Sequence, residues 1–144
     1  FTSQYEDMQK VWEKYQEKGM VMLGVPSNDF GGQEPGNNKE IKNFCEAKFG
    51  ITFPMTEKVT VKGENAHPFY KWAEKNFGKS AIPKWNFHKI IINKEGKVQD
   101  TFASITNPSS KRFISVIEKT LDKISLLTQK DGVKSLTISR SILL

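Results

Sequence analysis

Apolar residues fall at helical spacing, then in a short unbroken run, then at helical spacing again. Tyr5, Met8, Trp12 and Tyr15 recur every three or four positions, which predicts a helix. Ser3 with Glu6 predicts a capping box at its start, and Gly19 suits its end. Residues 20–25 form an apolar run stopped by Pro26, the pattern of a buried strand. After Ser27-Asn28-Asp29 comes a glycine-dense loop, Phe30-Gly31-Gly32-Gln33-Glu34-Pro35-Gly36.

Asn37 and Glu40 form a cap-like pair ahead of a second helix, with Ile41, Phe44, Cys45 and Phe49 on one face and Gly50 as its stop. Residues 51–55 and 58–61 read as extended, and Lys62-Gly63 turns the chain. Pro68 fits the first turn of a third helix striped by Phe69, Trp72, Ala73 and Phe77, which Gly78 ends. His67 reads as the residue that starts this helix and carries no assigned catalytic role. Residues 87–92 and 97–103 then predict two strands joined by an Asn93-Lys94-Glu95-Gly96 hairpin turn. Pro108 opens a last helix with Phe113, Val116, Ile117, Leu121 and Ile124 at its apolar positions.

This order argues one α/β domain, a mixed sheet with helices on both faces. It spans residues 1–121. Residues 122–144 change character: Lys130-Asp131-Gly132 signals a turn, and the weak alternation after it predicts either an extra helix and strand or a frayed tail.

Composition narrows the function. At 144 residues with 26% charged and 37% hydrophobic content, the chain suits a single globular domain. No apolar run is long enough to span a bilayer, so membrane insertion is not expected. The net charge of +6 comes mostly from scattered lysines, which read as a solvated surface. A nucleic-acid patch would need clustered basic residues, and only two arginines are present. The single cysteine, Cys45, excludes a disulfide within the chain, and two histidines and one cysteine far apart in the sequence argue against a dedicated metal site. Phe1 reads as the middle of a helix start, so the chain is expected to be a piece of a longer protein. A targeting signal upstream would be invisible, and cytoplasmic residence is the default expectation.

One set of polar groups stands out. The Trp85 indole N–H can only donate, Asn86 brings an amide beside it, and Gln33 offers another from the glycine loop. Donors converging on one point stabilise an anion, and a thiolate is a natural candidate. Residues alone leave a plain alternative, an aromatic of the core beside a turn residue and an ordinary glycine turn.

The string Gly24-Val25-Pro26-Ser27-Asn28-Asp29-Phe30-Gly31-Gly32-Gln33-Glu34-Pro35-Gly36 resembles the signature loop of the glutathione peroxidase family. Phe53-Pro54, Val61-Lys62-Gly63, Ala66-His67-Pro68 and Trp85-Asn86-Phe87 follow in the family's order. The likeness runs from Phe1 to about Leu121. It implies a thioredoxin-like fold and thiol-dependent reduction of hydrogen peroxide and of organic or lipid hydroperoxides, a defence against oxidative stress. It assigns Gln33, Trp85 and Asn86 to the catalytic set. In relatives the peroxidatic cysteine or selenocysteine is followed by Gly and then a segment like Phe1-Thr2-Ser3-Gln4-Tyr5. The resemblance therefore implies a nucleophile just upstream of Phe1, with the central strand before it missing as well, so that this piece alone is inactive.

No cofactor is implied beyond a reducing co-substrate, thioredoxin or glutathione. Cys45 has two readings: an inert core thiol on a helical face, or the resolving cysteine of thioredoxin-dependent members, whose segment Asn43-Phe44-Cys45 resembles. Ser27 stands where many relatives carry a cysteine, which leaves Cys45 as the visible resolving candidate. The short connection at 79–84 resembles the monomeric, thioredoxin-linked members. The competing class is a non-catalytic thioredoxin-fold module for redox sensing or partner binding.

Overall fold

The structure is a computed structural model and describes residues 3–30, 37–131 and 139–143. Helix α1 (Gln4–Tyr15) is followed by a 3-10 turn (Gln16–Lys18) that Gly19 closes at φ 97°, in the left-handed region a side chain would resist. The expected capping box does not form. Ser3 has helical angles (φ −59°, ψ −21°) and makes no side-chain cap bond, because a capping residue needs extended backbone to aim its hydroxyl at the first turn.

Strand β1 (Met20–Gly24) alternates sides, with Met20 and Met22 fully buried. Helix α2 (Asn38–Phe49) has the cap pair expected of it: the Glu40 N–H donates to Asn37 Oδ1 at 2.9 Å, and Asn37 Nδ2 donates to Glu40 Oε1 at 2.9 Å. Its apolar face is narrower than the sequence implies. Ile41 is buried and Phe49 stacks on Tyr5 at 5.0 Å, but Phe44 is 51% exposed, since α2 touches the core along one edge only. Residues 50–61 run beside β1 as irregular chain, with a single bridge between Gly24 and Met55.

Helix α3 (Pro68–Phe77) starts at His67, whose Nδ1 accepts the Phe69 N–H at 3.1 Å. A 3-10 turn (Lys79–Ala81) leads to strands β2 (Lys89–Ile92) and β3 (Val98–Phe102), paired antiparallel around the Asn93–Gly96 turn with Gly96 at φ 78°. Helix α4 (Lys111–Asp131) opens after Ser110, whose Oγ accepts the Phe113 N–H at 3.3 Å. It runs through position 122, where the sequence changes character. The chain then supplies strand β4 (Ser139–Leu143).

Sheet order is β1-β4-β2-β3. Strand β4 lies parallel to β1, with Leu23 opposite Ile142, and antiparallel to β2, with Ile90 opposite Ile142. The last strand thus occupies the centre of a mixed sheet. One core joins Met20, Met22, Ile91 and Phe102 to Met8 and Tyr15 of α1 and Phe113 and Ile117 of α4. The other joins Ile90 and Ile92 to Tyr70 and Ala73 of α3. Helices therefore cover both faces, as the element order requires.

Candidate active site

The segment 85–89 is where three parts of the chain meet. Trp85 follows the 3-10 turn and remains 38% exposed. Its ring lies 5.9 Å from Phe30, the last described residue before the glycine loop. Asn86, next to it, is buried. Phe87 holds φ 61°, in the left-handed region that bulky residues rarely enter, and it is the only non-glycine residue with positive φ among those described. That twist bends the chain between Asn86 and β2 and turns the Phe87 ring onto Tyr5 of α1, edge to face at 4.7 Å. Strain of this kind clusters where geometry matters for function.

The described residues that lead towards the glycine loop are held by hydrogen bonds to 61–62. Asp29 Oδ2 accepts the Val61 N–H at 2.7 Å and the Lys62 N–H at 3.2 Å, while its own N–H donates to Ser27 Oγ at 3.2 Å. Lys62 lies over the Phe30 ring at 4.8 Å. Phe30 itself is buried among Val25, Val61 and Tyr70. Asp29 and Phe30 are supporting residues that the sequence reading passed over. The signal available was the Ser27-Asn28-Asp29 run, whose short polar side chains bond nearby backbone. Gln33 lies outside the described residues. Cys45 falls on α2, and its side chain lies outside the described residues as well.

A further departure concerns the lysines, expected at a solvated surface. Lys89, first residue of β2, is fully buried. Its Nζ donates to Gln4 Oε1 at 2.5 Å, to the Thr106 carbonyl at 2.6 Å and to the Ser104 carbonyl at 3.4 Å. Burial pulls its ammonium down to about 7. Next to it, His88 donates from Nε2 to the Ser80 carbonyl at 2.9 Å. Burial lowers the His88 pKa below its ordinary value, against the raising effect of the Ser80 bond. The sequence signal for Lys89 was a cation at the head of Ile90-Ile91-Ile92.

A narrow cleft lined by Tyr5, Val25, Pro26 and Phe87 runs between the start of α1 and the end of β1. A larger apolar cavity, about 730 Å³, lies elsewhere, against α3 and β1, lined by Leu23, Phe69, Tyr70 and Ile92. Among the described residues there is no cluster of His, Cys, Asp or Glu that could hold a metal ion, and no helix long and apolar enough to cross a membrane.

The family model for glutathione peroxidase matches residues 1–74, more than half of the chain. The chain belongs to the glutathione peroxidase family. Hydroperoxy fatty acid reductase gpx1 of Synechocystis sp. is 44% identical over 116 residues, covering 75% of this chain and 69% of that protein. Glutathione peroxidase-like peroxiredoxin 2 of Saccharomyces cerevisiae is 43% identical over 114 residues, covering 76% and 70%. The crystal structure of Trgpx in its apo form aligns with a TM-score of 0.65 at 31% identity, covering 85% of this chain and 73% of that one. The thioredoxin-like fold is thereby established, and so is the enzyme class. This is a peroxidase oxidoreductase, which reduces hydroperoxides.

Proposed function

We propose that Gln33, Trp85 and Asn86 surround a sulfur or selenium nucleophile carried on the segment that leads into α1. The observation that supports this most is the juxtaposition at 85–89. Trp85 reaches the mouth of the Gln33 loop through Phe30, while Phe87 packs on Tyr5 in the first turn of α1. The helix N-terminus adds a positive dipole end at the same place, which favours a thiolate.

In the reaction the thiolate attacks one peroxide oxygen, the O–O bond breaks, and the departing oxygen leaves as water or alcohol after taking a proton. The nucleophile becomes a sulfenic or selenenic acid. The amide and indole donors hold the anion beforehand and orient the peroxide. The Cys45 thiol then attacks that oxidised atom, water leaves, and a bond between the two forms. A dithiol reductant of the thioredoxin type cleaves it by exchange, regaining both thiols and becoming a disulfide itself. Relatives named peroxiredoxins support thioredoxin over glutathione, and the relative named for hydroperoxy fatty acids supports acceptance of lipid hydroperoxides as well as hydrogen peroxide.

The complete gene product tests the scheme. Asn86→Ala should slow peroxide reduction by about 10²-fold, the effect of removing one preorganised donor. Cys45→Ser should abolish thioredoxin-driven turnover yet still consume one equivalent of peroxide. Normal turnover of Cys45→Ser with thioredoxin would remove the resolving role.

A further inference from the structure

A lysine at the head of β2 is a costly choice. The strand otherwise reads Ile90-Ile91-Ile92, and a methionine would fill the volume of Lys89 without taking an ammonium out of water. Among the described residues no carboxylate bonds to it. The acceptors are the Gln4 amide oxygen and the backbone carbonyls of Ser104 and Thr106. Gln4 is itself buried, and its Nε2 donates to the same Ser104 carbonyl at 2.6 Å. Amide, ammonium and carbonyls thus form a closed polar cluster inside an apolar core, and such clusters fix geometry when every member is satisfied.

The elements it joins are telling. Gln4 is the first residue of α1, Ser104 and Thr106 lie on the loop between β3 and α4, and Lys89 stands three residues beyond Asn86. A tetrahedral ammonium has three donors pointing in different directions, so one head group can hold a helix end and a loop at once. Displacement at an O–O bond needs attacking and accepting atoms about 3–3.5 Å apart and aligned, and a misplacement of about 1 Å can cost 10²-fold.

We propose that Lys89 is a positioning residue of the peroxidase: its ammonium fixes the first turn of α1, and with it the segment leading into that helix, at the distance from Trp85 and Asn86 that the reaction needs. This rests on the site reading given above. It differs from a purely structural role in a way that paired substitutions expose. Replacing both partners of a buried polar pair by apolar groups can be nearly neutral for stability, but it does not restore a directional grip.

The test compares Lys89→Met, Gln4→Met and the double variant in the complete enzyme, reading melting temperature and the second-order rate constant with hydrogen peroxide. Lys89→Met should react about 10²-fold more slowly. The double variant should recover melting temperature relative to the single variants while its rate stays low. A folded Lys89→Met that reacts at the unmodified rate overturns the proposal, and so does a double variant that recovers rate along with stability. Should Lys89→Met fail to fold, Gln4→Met decides: slowed peroxide reaction supports the role, and an unchanged rate overturns it. Trp85→Phe serves as the control. If that variant reacts normally, the site reading itself fails and the proposal falls with it.

Discussion

Phe87 is the residue where sequence and geometry pull hardest against each other. A left-handed backbone costs a side-chain-bearing residue roughly 1–2 kcal/mol, yet here it carries a buried aromatic ring against Tyr5. This inverts the usual order of small substitutions. Phe87→Ala loses the ring and keeps the backbone strain, whereas Phe87→Gly loses the ring and relieves it. Chemical denaturation should therefore show Phe87→Gly more stable than Phe87→Ala by about 1 kcal/mol, where an ordinary strand position would show the reverse. Equal stabilities, or alanine ahead, would mean that the turn between Asn86 and β2 is not strained as drawn. None of this was legible in Trp85-Asn86-Phe87 as letters. The pair of donors was visible because indole and amide chemistry is fixed by residue type, but a backbone angle set by long-range packing on α1 leaves no local mark. Lys89 shows the same limit: a lysine is a surface residue by default, and only its three oxygen partners, 85, 15 and 17 positions away, explain its burial.

Among the elements, those with strong local signals came through and those set by their neighbours did not. Helix α3 was readable from Pro68, its aromatic stripe and Gly78, and the hairpin from Asn93 to Gly96. The stripe of Phe69, Trp72, Ala73 and Phe77 marks the buried face only in part: Ala73 is buried, but so is Tyr70 beside the stripe, while Phe77 is exposed. The capping box at Ser3 has the right letters and the wrong backbone, whereas the pair at Asn37 makes both of its bonds. The contrast gives a prediction for α2, which carries Cys45. Asn37→Ala removes the acceptor for the Glu40 N–H and should lower stability by about 1 kcal/mol. Ser3→Ala, with no cap bond to lose, should change it by less than about 0.5 kcal/mol. Thermal melts of both variants check this, and a larger loss at Ser3 would show that the helix start is capped after all.

For the whole molecule, the consequence that matters is how the layers bring distant segments together. The sheet places β1, and the loop leaving it, on one side of β4, and places β2, with Trp85 and Asn86 before it, on the other. Helix α1 covers one face and presents its first turn to Phe87 and Lys89. The element order foretold a mixed sheet between helices. It did not foretell that a strand from the last residues would lie at its centre, since Ser139-Arg140-Ser141 has none of the continuous apolar character of a central strand. The central claim is that this architecture assembles a peroxide-reducing site around Trp85. Stopped-flow measurement of one turnover of hydrogen peroxide by the complete enzyme, with and without Trp85→Phe, tests it most directly. Loss of the indole N–H should lower the rate constant by about 10²-fold with the fold unchanged by circular dichroism. An equal rate in the two proteins would contradict it.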